Sequence, residues 1–117
     1  MSENLEIWHN PRCSKSRQTL AILTERGLEP TIIEYLKDPP TAARLEWVLE
    51  QLNKRPRDLM RKKEALYKEL GLRDSDHTDD ELVAIMVEHP KLIERPVVIH
   101  GDRAAVGRPP EAIEAIL

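Results

Sequence analysis

The chain has 117 residues, with 18 Lys and Arg against 21 Asp and Glu for a net charge of −3. That balance offers no positive field for a nucleic-acid backbone, and with no Phe, two Trp and two Tyr there is little to stack on bases. The longest apolar runs, such as Leu20 to Leu23, are far too short to cross a bilayer, so no membrane span is expected.

Leu5-Glu6-Ile7-Trp8-His9 alternates apolar and polar residues and stops at Asn10-Pro11, the pattern of a short strand running into a loop. From Ser14 the spacing turns helical, with Ser16, Leu20, Leu23 and Gly27 on one side and Gly27 placed to end the helix in a left-handed turn. Cys13 is thus predicted at a helix N-terminus. Thr31-Ile32-Ile33-Glu34-Tyr35 is β-branched and aromatic and predicts a second strand, parallel to the first because a helix joins them.

After Asp38-Pro39-Pro40, Thr41 can cap a helix whose Leu45, Val48, Leu49 and Leu52 form one apolar stripe. Shorter helical stretches follow around Pro56 to Met60 and from Glu64 to Leu70, the latter stopped by Gly71. Thr78-Asp79-Asp80-Glu81 has capping-box spacing and opens a helix with Leu82, Ile85, Met86 and His89 on one face, ended by Pro90. Strand signals return in Pro96-Val97-Val98-Ile99-His100 and, past a turn at Gly101-Asp102, in Arg103-Ala104-Ala105-Val106. Pro109 and Pro110 suit the start of a last helix, whose Ile113, Ile116 and Leu117 can cover the sheet. This order predicts one α/β domain over 1–117. Its expected form is a four-stranded mixed sheet with flanking helices and a helical insert between the second and third strands, the arrangement of a thioredoxin-like fold.

Cys13 is the only cysteine, so no internal disulfide can form and any redox chemistry needs a thiol from another molecule. Met1-Ser2-Glu3-Asn4 leads into the first strand without the basic and then apolar run of a signal peptide, and the cytoplasm is the expected location. A lone cysteine is more often a small buried apolar residue than a nucleophile. Here, however, Arg12, Lys15 and Arg17 with Ser14 and Ser16 surround it in an acidic chain. Helix N–H groups and nearby cations stabilise a thiolate and can bring its pKa below the usual value of about 8.5. Arg17, on the first helical turn, is the better local anion contact, and His9 has a supporting role at most.

His9, His77, His89 and His100 are scattered with no Cys/His grouping, so no metal site is expected. Phosphatase-like thiolate enzymes place an arginine six positions after the cysteine; here that position is Thr19.

The run His9-Asn10-Pro11-Arg12-Cys13-Ser14-Lys15-Ser16-Arg17 combines with Glu94-Arg95-Pro96-Val97-Val98 and Gly107-Arg108-Pro109-Pro110-Glu111. With Leu59-Met60-Arg61-Lys62-Lys63 between them, these motifs closely resemble the glutaredoxin-linked arsenate reductase family, collinearly over nearly the whole chain. The resemblance implies a nucleophilic Cys13, with Arg61, Arg95 and Arg108 holding arsenate and its reduced intermediate. It also implies that Pro96 is a cis-proline facing the cysteine. Arginine suits that role because its fork donates paired hydrogen bonds to an oxyanion and stays charged. In this loop Arg12, Ser14 and Lys15 replace smaller or uncharged residues of the best-known members, adding positive charge.

The activity so implied is reduction of arsenate to arsenite through a covalent thiol–arsenate adduct on Cys13. Glutathione is the reducing co-substrate, glutaredoxin clears the mixed disulfide, and no cofactor is bound. Two other functions share the fold. A monothiol glutaredoxin-like protein would act on protein–glutathione disulfides. A Spx-type regulator would bind RNA polymerase, but such sensors carry a Cys-x-x-Cys pair, and Ser16 stands at the second position.

Overall fold

The computed structural model describes residues 4–117, so the reading of Met1-Ser2-Glu3 as lacking a signal peptide lies outside the described residues. The described chain forms two compact units, one from residues 4–38 with Arg95–Leu117 and one from Pro39–Glu94.

The first unit is built on a sheet of β1 (Leu5–Trp8), β2 (Thr31–Ile33), β3 (Val97–His100) and β4 (Arg103–Val106), in the order β2-β1-β3-β4. β1 and β2 run parallel with Ile7 opposite Ile32, as their helical connection requires. β3 is antiparallel to both its neighbours, with Val98 opposite Ile7 on one side and Ala105 on the other. Each predicted strand is present, although β1 ends one residue early and β2 stops at Ile33.

Helix α1 (Ser14–Glu25) connects β1 to β2, and Gly27 adopts the left-handed conformation after it, at φ 76°. Leu23 of α1 joins Ile7, Val98, Ile113 and Ile116 in a buried apolar cluster. Each such side chain contributes about 1.5–3 kcal/mol when fully removed from water. The last helical segment, Pro110–Ile116, is a 3-10 helix that packs on β4 and α1 and supplies Ile113 and Ile116.

The second unit is helical. Helix α2 (Ala42–Leu52) starts at Thr41, whose hydroxyl accepts from the Arg44 N–H at 3.1 Å, and buries Leu45, Val48 and Leu49. After a 3-10 turn over Pro56–Leu59 come α3 (Ala65–Glu69), a second 3-10 turn at Leu72–Asp74, α4 (Asp79–Glu88) and a third at Pro90–Leu92. The capping box at Thr78 forms as predicted, with the Glu81 N–H donating to the threonine hydroxyl and the Glu81 carboxylate accepting from the Thr78 N–H. Helix α4 packs on α2 and buries Leu82, Val83 and Met86. The segment around Met60 pairs with that around Ile93, closing with Arg61 N–H to Leu92 C=O and Glu94 N–H to Leu59 C=O, both at 2.7 Å.

Candidate active site

Cys13 is the N-cap residue of α1, with extended backbone at φ −96° and ψ 124°. An N-cap side chain ordinarily accepts from the N–H groups two and three residues on, which have no partner inside the helix. Here those groups belong to Lys15 and Ser16, and both N–H groups stabilise the Cys13 thiolate. No cap hydrogen bond closes onto the sulfur, so those N–H groups stay available beside it.

The loop that delivers Cys13 is tied at several points. The Cys13 N–H donates to the Asn10 carbonyl at 3.0 Å, and the Arg12 N–H to the Asn10 side-chain oxygen at 3.0 Å. Buried Ser16 anchors the other end: its hydroxyl oxygen accepts from the Asn10 N–H at 3.0 Å and lies 2.6 Å from Nδ1 of His9. His9 donates its own N–H to Ile33 C=O, fixing it at the end of β1. Burial, only partly offset by Glu34, holds the His9 imidazole below its usual pKa, and Arg17 adds to that lowering.

Arg95 and Arg108 flank the thiol from the far end of the sequence. Nη2 of Arg108 is 3.9 Å from the Cys13 sulfur, while its Nε donates to the Arg95 carbonyl at 2.8 Å. The Gly107 N–H donates to Pro96 C=O at 2.9 Å, so the two arginine-bearing turns are laced together. Both the Arg95–Pro96 and the Arg108–Pro109 peptide bonds are cis.

Cys13 is only 8% exposed, and burial by itself raises its pKa. The Ser16 N–H, the Arg95 charge, the Lys15 N–H and the Arg108 charge together outweigh it, and the net shift is downward. The arrangement thus combines a thiol biased toward its anion with fixed N–H donors and guanidinium groups able to receive a second anion.

Arg17, read from the sequence as the better local anion contact, directs Nη1 to the Pro11 carbonyl at 2.9 Å and braces the loop. Arg61 lies in the second unit, where its guanidinium pairs with Glu64 at 3.3 Å and donates to Lys91 C=O at 3.4 Å. Thr19, which the sequence marked only as the position where a phosphatase-like loop would carry an arginine, is fully buried on α1 and donates its hydroxyl to Lys15 C=O at 2.8 Å. Among the described residues no group of three or more His, Cys, Asp or Glu could hold a metal ion. No helix among them is long and apolar enough to cross a membrane.

A family model described as the ArsC family matches residues 8–116. The chain is 48% identical to the uncharacterized protein YfgD of Escherichia coli (strain K12), covering 100% of this chain and 99% of that one. It is 46% identical to an arsenate reductase of Neisseria meningitidis serogroup A, over 97% of both chains. A solved arsenate reductase from Vibrio cholerae superposes with a TM-score of 0.95 at 49% identity, covering all of both chains. With a family model matched over nearly the whole chain and relatives similar along their full length, this chain belongs to the ArsC family.

Proposed function

We propose that this protein is an arsenate reductase, an oxidoreductase in which Cys13 is the nucleophile and arsenate the substrate. The observation that carries this reading is the Cys13 sulfur at the N-cap of α1, with Arg108 at 3.9 Å and a thiol pKa lowered despite burial. Homologues named as arsenate reductases, similar over nearly their whole length, supply the substrate.

In the proposed cycle the Cys13 thiolate attacks arsenic and an arsenate oxygen leaves as water, giving a thiol–arsenate adduct still at the As(V) level. Arg95 and Arg108 offset the charge of the oxyanion. A glutathione thiolate then attacks the Cys13 sulfur. The S–As bond breaks with its electron pair going to arsenic, releasing arsenite and leaving a Cys13–glutathione disulfide. Glutaredoxin with further glutathione returns Cys13 to its thiol. The balance is one arsenate and two thiols in, one arsenite, one disulfide and one water out. Because Cys13 is the only sulfur able to form a disulfide and is returned to its thiol at the end of the cycle, both thiols consumed in a complete turnover are external. Glutathione and glutaredoxin are cytoplasmic reductants, and we assign the protein to that compartment.

The test is arsenite production by purified protein with arsenate, glutathione and glutaredoxin, comparing wild type with Cys13→Ser. Activity is expected in the first and not the second. Equal rates, or sustained turnover with thioredoxin alone and no mass adduct on Cys13 at any time, would overturn the assignment.

A further inference from the structure

Gly107 is buried between the two cis-proline turns, and its φ lies outside the left-handed region. Glycine is therefore not required there for backbone conformation. It is required for space. A Cβ on Gly107 would run into the Thr19 hydroxyl, lie 2.8 Å from Cγ of Pro96 and stand 3.1 Å from the Thr19 methyl. Neither neighbour can yield cheaply. Thr19 is short, β-branched, fully buried and hydrogen-bonded, and the Pro96 atom belongs to a ring.

The Thr19 hydroxyl has a second consequence. It donates to Lys15 C=O, and that carbonyl belongs to the same planar peptide unit as the Ser16 N–H, one of the donors to the thiolate. Fixing one end of the peptide unit fixes the other, and hydrogen bonds in series polarise one another. Thr19 thus touches both halves of the site. Its hydroxyl orients a donor on α1, and its outer surface seats the residue that immediately precedes Arg108.

We propose that Thr19, packed against the bare face of Gly107, is a positioning residue that sets the donor turn of α1 and the Arg108 turn in one register around Cys13. It stands at the sixth position after the cysteine, where phosphatase-like thiolate loops carry the arginine that holds the anion. Here a small residue at that position makes room for an arginine delivered from a distant turn. The proposal rests on the reading of Cys13 as the reactive thiol, and its primary readout needs no arsenate.

The experiment measures the thiolate midpoint of Cys13 by absorbance against pH, its alkylation rate, and KM and kcat for arsenate. Gly107→Ala should raise the midpoint by about one pH unit and KM by about tenfold, the two forms of one tenfold change. Adding Thr19→Ala should recover part of both losses, since it removes two of the three contacts. Thr19→Val keeps the shape and loses the hydroxyl; Thr19→Ser keeps the hydroxyl and loses the methyl. Each should move the midpoint upward by less, and both can be measured even if Gly107→Ala does not fold. Ile113→Val, a core change of comparable stability cost, should leave the midpoint in place.

The proposal is overturned if Gly107→Ala lowers Tm with midpoint and KM unchanged, if the double variant shows the sum of the two losses, or if both Thr19 variants keep the wild-type midpoint. A shifted midpoint in a protein that reduces no arsenate would preserve the positioning role and remove the substrate assignment.

Discussion

Helices α1 and α4 start from residues with the same extended backbone and face the same problem of N–H groups that lack helical partners, yet they solve it in opposite ways. At α4 the Thr78 hydroxyl and the Glu81 carboxylate satisfy those groups reciprocally, and Asp79, Asp80 and Glu81 place negative charge on the positive end of the dipole. Glu81 is held below its usual pKa by the Thr78 N–H and hydroxyl. At α1 the capping residue is a cysteine whose side chain forms no cap hydrogen bond, and the first turn carries no acid. One helix start uses its donors for stability. The other keeps them for a thiolate and for the anion that the thiolate attacks.

Exchanging the capping atom is the strongest way to break this comparison. Cys13→Ser should lower arsenate reduction by on the order of 10³-fold or more, as loss of an essential nucleophile does. The serine is also a better N-cap, so thermal stability at neutral pH should hold or rise by up to about 1 kcal/mol. A marked fall in Tm would mean that Cys13 is retained for packing.

Removing the flanking charge is the next largest change. Arg95→Ala and Arg108→Ala should each cut turnover at least about tenfold, the effect of roughly 1.4 kcal/mol of lost anion stabilisation. Both should raise the thiolate midpoint, because both charges favour the anion. Arg12→Ala, at an exposed site whose side chain has no described contact with the sulfur, should change either quantity far less.

At the other helix start, Thr78→Ala should cost about 1 kcal/mol of stability, seen as a lower Tm, and leave the Cys13 midpoint and turnover unaltered. An effect on the thiol would show that the two helix starts are not independent.

The smallest expected effect is a pH dependence of stability. The Cys13 pKa is lower in the folded chain than in the unfolded one, so over the interval between them the unfolded chain binds more protons and stability rises with pH. The contribution is full above the unfolded thiol value of about 8.5 and is lost as pH falls through the folded midpoint. The stability difference between wild type and Cys13→Ser should therefore grow in favour of wild type across that interval in pH-dependent melts. The lowered His9 pKa acts in the same direction at more acid pH, and since both proteins carry His9 the difference cancels it.

The order of strands and helices was legible because it rests on local signals: alternation in β1, the threonine caps of α2 and α4, and the glycine ending α1. The cysteine turn was legible for the same reason, as a strand end meeting a helix start. The provenance of the charge at the sulfur was legible only through the motifs that resemble the arsenate reductase family, which pointed to Arg95 and Arg108. Spacing favoured Arg17, four residues away, yet its guanidinium is directed to Pro11 C=O while Arg95 and Arg108 act on the sulfur. The antiparallel pairing of β3 with β1 and of β4 with β3 brings them there. Thr19 was read only as a position lacking an arginine, because a threonine inside a helix looks solvent-facing until its hydroxyl is seen to bond the preceding turn, which lets it be buried without loss. The final segment looked like an ordinary helix, but its apolar residues Ile113 and Ile116 meet the sheet from a 3-10 helix instead.

The Arg108 side chain divides its donors between two unlike acceptors, a main-chain carbonyl for Nε and a sulfur for Nη2. The carbonyl is neutral and stays so through every redox state, whereas the sulfur alternates between anion, adduct and disulfide in the proposed cycle. The arm is thus moored by the contact that does not change and applied to the one that does. Its aim survives the moments when its electrostatic partner has vanished, and the site has no need to rebuild itself between steps. A lysine could bring the same charge to the same place, but its single rotating head offers no second nitrogen in fixed relation to the first. Charge here is replaceable; the built-in angle between mooring and target is not.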